Sequence, residues 1–138
     1  MADLSGFTLD DLRTAGADRL PGLLGVDVVT FEEGVVHARL ELRAHHLAPN
    51  GYLHAGTVVS LADTACGYGC VLSLPPGATG FTTIELKTNF LRTATDGTLA
   101  CEARLVHGGR TTQVWDALVR DDPGRTLALF RCTQLLLR

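Results

Sequence analysis

The stretch of sequence that decides the fold is NGYLHAGTVVSLADTACGYGCVLSL, residues 50–74. It opens with a glycine-containing turn and continues as a run of apolar and small residues in which Asp63 is the only charge. The residues that follow, Pro75-Pro76-Gly77, are typical of a helix end. We therefore predict one apolar helix. The strand-like segments on both sides must cover it, because the chain has no other element large enough to do so.

The carboxylate of Asp63 needs an explanation in such a helix. Burial raises the pKa of a carboxyl group and an unpaired buried charge is costly, so such groups concentrate at functional sites. The alternative is an Asp that reaches solvent at the helix edge or caps a backbone group. The face through Asp63 leaves room for another backbone, a second subunit or a ligand, because most of its other residues are small: Gly56, Val59, Ser60, Cys66, Gly67 and Cys70.

Length and composition indicate one globular domain, residues 1–138, with residues 1–21 as an N-terminal helical extension. A net charge of −3 gives no basic surface for nucleic acid. The N-terminal residues have neither a basic nor an apolar segment, so we expect no signal peptide and a cytoplasmic location. Residues 55–74 are a poor membrane span, because Asp63 would lie near mid-bilayer and flanking Lys or Arg is missing.

The four cysteines are predicted to be buried free thiols. Cys66 and Cys70 share a helix face, whereas Cys101 and Cys132 fall in strand-like segments. A pair at i, i+4 can hold a metal, but no CxxC or HxxxH pattern completes a site. We therefore expect no metal and a reducing compartment.

Periodicity along the chain predicts the order α-β-β-α-β-β-β-β. Thr8 and Asp11 form a capping-box pattern at the start of a helix over residues 8–20, which Pro21 and Gly22 should end. Residues 45–49 are predicted to form a loop into the central helix, with His45 and His46 solvated. Strands are expected at 26–32, 35–42, 82–91, 98–106, 111–120 and 125–137, separated by turns that carry Gly. This is an α+β domain with one antiparallel sheet around a central helix.

These segments resemble the hotdog fold, and specifically the PaaI-like acyl-CoA thioesterases. The resemblance rests on GYLHAG at 51–56 followed by LADTA at 61–65, which is similar to the family signature G-x-x-H-G-G…L-A-D-T-A. It continues in NFLR at 89–92 and in the hairpin around Gly109-Arg110, and covers about residues 22–137. The family usually has Gly where this chain has Ala55, and many members have Asn or Gln where it has Ala48.

Thioester hydrolysis needs an oxyanion hole and a nucleophile or a base that activates water. Ala55 and Gly56 would open the central helix with N–H groups that have no partner within the helix, at the positive end of its dipole. They are the predicted oxyanion hole, and Asp63 is the predicted base or nucleophile. Eight residues separate Ala55 from Asp63, about 12 Å along one helix. Two antiparallel helices related by a two-fold axis can supply both groups, so we predict a homo-oligomer, a dimer or dimer of dimers, with composite sites.

Further candidates surround this pair. The resemblance implies that Thr83, on the next strand, orients the water or the carboxylate; the alternative is a residue that only suits a strand. His54 is a candidate to hydrogen-bond the turn or the thioester carbonyl, and the alternative is a structural residue just before the helix. Arginine forks suit phosphate, so Arg92 and Arg110 are candidates for CoA phosphates. Asn50 and Ser60 complete the candidate substrate-binding set.

The resemblance thus implies an acyl-CoA substrate, with CoA as part of the substrate and no separate cofactor. Two alternatives stay open: a hotdog dehydratase or hydratase, for which His54 is poorly placed, and a non-catalytic acyl-CoA-binding or regulatory module. Fold alone does not decide among them. The acyl group is not readable from the sequence.

Overall fold

The structure, a computed structural model, describes residues 2–138. Its elements, in chain order, are α1 (Leu9–Gly16), α2 (Leu20–Leu24), β1 (Val26–Glu32), β2 (Val35–Glu41), α3 (Ala55–Leu72), β3 (Gly80–Phe90), β4 (Thr98–Gly108), β5 (Thr112–Arg120) and β6 (Thr126–Leu137). The strands form one antiparallel sheet in the order β1-β2-β4-β5-β6-β3, so β1 and β3 are its edges. The sheet packs around α3, which confirms the predicted α+β architecture.

The N-terminal region differs from the prediction of one helix over residues 8–20. The capping box is present at the start of α1: Asp11 N donates to Thr8 Oγ1 at 3.2 Å, and Thr8 N donates to an Asp11 carboxylate oxygen at 2.8 Å. However, α1 ends at Gly16, and Pro21 lies in the first turn of a second short helix, α2. The prediction was wrong because proline breaks a helix interior but is well accommodated in a first turn, where the missing N–H has no partner to lose.

Helix α3 forms the centre of the core. The half nearest its C-terminus, residues 65–72, is almost fully covered by the sheet; we call it the sealed half. Its glycines permit very close packing, because a Cβ at Gly67 would lie 2.8 Å from the Phe81 ring and one at Gly69 would overlap the Trp115 ring. Trp115 is fully buried on β5. By length and composition α3 also passes as a membrane span, but most of its residues are buried, as in any core helix.

The N-terminal half of α3, residues 55–64, is less covered, and we call it the open half. Ala55 and Gly56 are exposed, and Ser60 and Asp63 are partly exposed. The inner face of the neighbouring edge strand β3 is also incompletely covered, because Leu86 is 41% and Phe90 49% exposed. We call this partly exposed surface, formed by the open half of α3 and the inner face of β3, the trough.

The loop that leads into α3 contains a correction. Residues Ala44–His46 form a short 3₁₀ helix, and His46 is 1% exposed instead of solvated. Its Nδ1 accepts from Arg43 N at 2.9 Å and its Nε2 bonds the carbonyl oxygen of Leu24 at 2.6 Å. A buried imidazole with both nitrogens bonded connects α2 to the loop. His45 is exposed, as predicted.

All four cysteines are free and buried, as predicted. Burial raises the pKa of the Cys101 and Cys70 thiols to about 12, and raises that of Cys66 well above its ordinary value. These thiols therefore stay neutral and pack as small apolar groups.

Candidate active site

His54 is the N-cap of α3 and shapes the helix entrance. Its backbone is extended and its Nδ1 accepts from Gly56 N at 2.7 Å. Its own N–H donates to the His46 carbonyl at 3.1 Å, which also accepts from Thr57 Oγ1 at 2.9 Å. The buried His46 thus anchors the first turn of α3 from behind, and the capping ring lies at the solvent side.

Of the two N–H groups predicted for the oxyanion hole, one already has a hydrogen-bond acceptor and the other does not. The Gly56 N–H is occupied by the His54 ring. The Ala55 N–H has no hydrogen-bond acceptor among residues 2–138, and Ala55 is exposed. A helix N-terminus carries partial positive charge, so the free Ala55 N–H is the better donor for an incoming carbonyl oxygen.

Asp63 and Thr83, twenty residues apart in sequence, meet in the structure. The Thr83 hydroxyl donates to Asp63 Oδ1 at 3.0 Å. Thr83 lies at a bulge in β3, where the register with β6 shifts between Thr83 and Glu85. The pair lies at the trough between α3 and β3, so the carboxylate is partly buried but accessible.

The environment of Asp63 shifts its acidity. Burial raises the pKa of the Asp63 carboxyl above its ordinary value, and the hydrogen bond from Thr83 opposes this rise. A carboxylate with a raised pKa is a better base than one in water, while the bond to Thr83 keeps it oriented. Ser60 lies three residues before Asp63 and is half-buried on the same helix face.

Asn50 has a local role in the turn before the helix. Its Oδ1 accepts from Tyr52 N at 3.1 Å, and the turn is closed by Ala48 N donating to the Tyr52 carbonyl at 2.7 Å. Asn50 is exposed. Its side-chain Oδ1 is therefore engaged in an Asx turn, while its amide N–H groups and the second lone pair of Oδ1 remain to contact a ligand.

The two candidate arginines lie far apart. Arg92 Nη1 donates to the Thr126 carbonyl at 3.4 Å at the start of β6, whereas Arg110 lies beside Thr111, whose carbonyl accepts from Leu136 N near the end of β6. Ten residues of strand, about 33 Å, separate these two points. Both arginines are exposed, but the structure does not bring them to one site in a single chain.

Arg92 is the arginine nearer the entrance of α3. The neighbouring residue, Thr93, accepts a hydrogen bond from Leu53 N at 3.0 Å through its hydroxyl. Leu53 immediately precedes the capping His54. The loop after β3 is therefore tied to the loop before α3, and Arg92 extends from that junction.

Three residues on the inner face of β3 border the site without having been predicted as site residues. Leu86 and Phe90 provide exposed apolar surface beside α3, and between them the buried hydroxyl of Thr88 has no hydrogen-bond partner among residues 2–138. The alternation of Leu86, Thr88 and Phe90 was visible, but the bulge beside Thr83 decides which face each residue occupies. Within the described residues, no three His, Cys, Asp or Glu side chains gather as a metal site requires.

Comparison with known proteins identifies the family. A model of the thioesterase superfamily matches residues 50–128, more than half of the chain. The chain is 33% identical to 1,4-dihydroxy-2-naphthoyl-CoA hydrolase of Listeria monocytogenes over 110 residues, which cover 80% of this chain and 89% of the relative. It is also 33% identical to the acyl-coenzyme A thioesterase PaaI of Escherichia coli over 109 residues, which cover 78% and 75% of the two chains.

The solved structures agree with this match. A mutant of the thioesterase PA1618 from Pseudomonas aeruginosa aligns with a TM-score of 0.89 at 26% identity, over 99% of both chains. PaaI of Escherichia coli aligns with a TM-score of 0.80 at 27% identity, over 91% of this chain and 89% of that one. The chain therefore belongs to the thioesterase superfamily, has the hotdog fold of its PaaI-like relatives, and is a thioester hydrolase.

Proposed function

We propose that the protein is an acyl-CoA thioesterase in which Asp63 is the base or nucleophile. The observation that carries this proposal is the partly buried Asp63 carboxylate, held by Thr83 at an open trough in a chain of the thioesterase superfamily. Two relatives are named as hydrolases of CoA thioesters, which supports CoA as the leaving group. CoA is part of the substrate, and the proposed mechanism uses no cofactor. A cytoplasmic location fits a CoA ester substrate.

The proposed oxyanion donor is the Ala55 N–H. A tetrahedral intermediate places negative charge on the carbonyl oxygen, and a preorganised N–H at a helix N-terminus stabilises that charge more than it stabilises the neutral carbonyl. Gly56 can add a second donor only after the His54 ring releases its N–H. The exposed His54 ring can then turn toward the thioester, so binding and capping compete for the same side chain.

The proposed unit is a dimer, or a dimer of dimers, with two composite sites. Within one chain the Ala55 N–H and Asp63 are separated by about 12 Å of helix, whereas reacting groups must lie within about 3 Å of the carbonyl. A second α3 in antiparallel orientation places its Ala55 near Asp63 of the first.

The edge strand β3 supports a second copy at this position. β3 is an edge of the sheet with unpaired backbone groups, and Ile84, Leu86 and Phe90 are 57%, 41% and 49% exposed. An exposed apolar edge invites pairing, and an antiparallel partner strand would continue the sheet. The same pairing would close the trough over Asp63.

CoA would enter along the loop that carries Arg92. That loop is tied to the residues preceding α3 through Thr93 and Leu53, so a guanidinium there can meet nucleotide phosphates while the thioester reaches the helix entrance. Arg110 lies at the far end of β6, and it can contribute to the same substrate only from a second subunit. Asn50 and Ser60 are proposed contacts along the path.

The direct test is release of free thiol from a panel of acyl-CoA esters. The panel should include aryl, hydroxylated aryl and aliphatic acyl groups, and the matched control is Asp63→Asn. We expect turnover by the wild type and loss of it in the variant. Binding of acyl-CoA without thiol release would instead indicate a binding or regulatory module. Hydration or dehydration of the acyl chain would indicate a hotdog hydratase or dehydratase.

A subunit-mixing experiment tests the composite site. Ala55→Pro removes one proposed oxyanion donor, and Asp63→Asn removes the carboxylate from the other end of the helix. If each site uses both subunits, a heterodimer of the two variants has one intact site, and an equal mixture should regain about a quarter of wild-type activity. If each subunit works alone, the mixture stays inactive.

A further inference from the structure

A row of three polar side chains crosses the inner face of the sheet beneath α3. Thr83 on β3 lies opposite Gln134 on β6, and Gln134 lies opposite Gln113 on β5. Residues directly opposite on antiparallel strands point to the same face, with their Cβ atoms about 5 Å apart. Because Thr83 bonds Asp63, the shared face is the one that packs against the helix.

The ends of this row are hydrogen-bonded, and its middle is not. Gln113 Oε1 accepts from the Trp115 indole at 2.7 Å, and Gln113 Nε2 donates to the Ser73 carbonyl at 3.2 Å. Gln134 is fully buried, and neither its Nε2 nor its Oε1 has a hydrogen-bond partner among residues 2–138.

Packing does not explain a glutamine at this position. A methionine has nearly the same length and would fill the space without burying a polar group that lacks a partner. Next to Gln134, the Thr83 hydroxyl donates its only hydrogen to Asp63 and retains acceptor lone pairs. The Gln134 amide is a donor placed across from this acceptor.

We propose that Gln134 is a positioning residue for Asp63 that acts through Thr83. The structure does not make a bond between the two side chains. In the working site, the Gln134 side chain turns so that Nε2 donates to Thr83 Oγ1, which fixes the hydroxyl hydrogen on Asp63 Oδ1. Successive hydrogen bonds in such a chain polarise and strengthen one another. The inference rests on the proposed function, since positioning Asp63 matters only if Asp63 takes part in the reaction.

The successive hydrogen-bond donors, Gln134 and Thr83, also affect the pKa of Asp63. Burial raises the pKa of this carboxyl, and donors that end on the carboxylate oppose the rise. Three thiols lie close to this part of the core: Cys66 on α3, and Cys101 and Cys132 on the sheet, both of which act on the pKa of Cys66 together with Asp63. Burial raises the pKa of Cys66 well above its ordinary value and that of Cys101 to about 12, so these two stay neutral at working pH.

The first test is Gln134→Met, which keeps the length of the side chain and removes the donor. We expect kcat to fall about threefold to tenfold with an unchanged KM, and the acid limb of the kcat profile to move to higher pH. Thermal stability should change little, because the variant loses one hydrogen bond to Thr83 and also loses a buried amide oxygen that has no partner. The matched control, Gln113→Met, breaks the hydrogen bonds to Trp115 and Ser73, so it should lower stability and leave the pH profile unchanged.

A double-mutant cycle tests the route through Thr83. Thr83→Val removes the hydroxyl that links Gln134 to Asp63. In that background Gln134→Met should have no further effect on kcat, because the connection is already broken. Losses that simply multiply would overturn the proposal. If Gln134→Met does not fold, Gln134→Asn, whose amide is too short to reach Thr83, serves in the same cycle.

A measurement without turnover separates this inference from the proposed function. The ¹³C signal of the Asp63 carboxyl, titrated by NMR, should change at higher pH in Gln134→Met than in the wild type. An unchanged titration in an enzyme that hydrolyses acyl-CoA would overturn the role of Gln134 alone. A protein that releases no thiol from any acyl-CoA, but shows the changed titration, would refute the proposed function and support the positioning role.

Discussion

The two halves of α3 are built from the same kinds of residues and are used differently. In the sealed half, glycines face the Phe81 and Trp115 rings so closely that even a methyl group would meet ring atoms. In the open half, Gly56 faces solvent and the movable His54 ring, and Ala55 presents an N–H without an acceptor. Small residues thus admit aromatic packing at one end of the helix and leave room for a substrate at the other.

Because of this difference, one half of the helix contributes mainly to stability and the other half to the proposed reaction. The sealed half contributes buried apolar contacts that hold the sheet around the helix. The open half tolerates a partly buried charge and exposed apolar neighbours, both of which cost stability, and it presents an N–H that only solvent can bond. Changes in the open half should therefore affect turnover and changes in the sealed half should affect folding.

The largest effect is expected for Asp63→Asn in the open half. Loss of the carboxylate should lower kcat by at least about 10²-fold, the range seen for acid–base residues. Steady-state thiol release with a good acyl-CoA checks this, and circular dichroism checks folding. Turnover close to that of the wild type would remove Asp63 from the mechanism.

Because the pKa of Asp63 is raised, the difference in stability between Asp63→Asn and the wild type should depend on pH. The folded-state pKa is above the unfolded value, so the ionised carboxylate opposes folding. That penalty is absent at pH below the unfolded pKa and appears as pH rises through the folded pKa. Asp63→Asn should therefore gain thermal stability relative to the wild type at neutral pH and not in acid. Wild-type kcat should fall as pH drops through the folded pKa, because the base becomes protonated.

The next effect is expected for Ala55→Pro. Proline is favoured in the first turn of a helix, the N–H it removes makes no bond within the chain, and His54 has the extended backbone that a residue before proline requires. Stability should therefore be unchanged, while kcat falls about 10²- to 10³-fold through loss of an oxyanion donor. A fully active Ala55→Pro enzyme would exclude this N–H as a donor.

A smaller effect, on stability alone, is expected for Gly69→Ala in the sealed half. The new Cβ would overlap the Trp115 ring, and such overpacking costs about 1–3 kcal/mol, more than the gain in helix propensity. The same change at Gly56 meets only the exposed His54 ring, whose Nδ1 must shift and weaken its cap, so the loss should be smaller, about 1 kcal/mol or less. Denaturant unfolding of both variants makes the comparison. Equal losses would mean that the two halves are packed alike.

The smallest effect is expected for Arg92→Ala, outside the helix. A phosphate contact made equally in the ground and transition states contributes to KM and not to kcat. KM for acyl-CoA should rise severalfold, with kcat unchanged and a short pantetheine thioester almost unaffected. Equal damage with both substrates would make Arg92 a residue of the fold. A wild-type preference for the short thioester would favour a carrier-protein arm as the leaving group.

Most of the fold could be predicted because its signals are local. Alternation along β2, the apolar run of α3 and the Gly-containing turns each specify an element from neighbouring residues. The prediction for the N-terminal region was wrong for a reason that is also local, because residues 19–24 permit either a helix end or a helix start at Pro21. The prediction that His46 is solvated was wrong because its burial depends on Leu24, which is distant in sequence.

The candidate site divides in the same way. Asp63 and Ala55 follow from the helix and its charge pattern, and Thr83 followed from the family resemblance. The capping of Gly56 by His54, the separation of Arg92 from Arg110 and the unpaired Gln134 depend on strand register and side-chain packing across the sheet. A one-residue bulge at Thr83 changes which side chains face α3, and nothing local in the sequence marks it.

Trp115 gives the sealed half an optical reporter of its own. It is the single tryptophan of the chain, it is fully buried, and its indole N–H is bonded to Gln113 while its ring faces Gly69. An indole in such surroundings emits at shorter wavelength than one in water. Its fluorescence will follow the separation of α3 from β5 during unfolding and respond little to events at the entrance of the helix. Ligand-induced changes near His54 and the opening of the core can therefore be watched separately in one sample without labels.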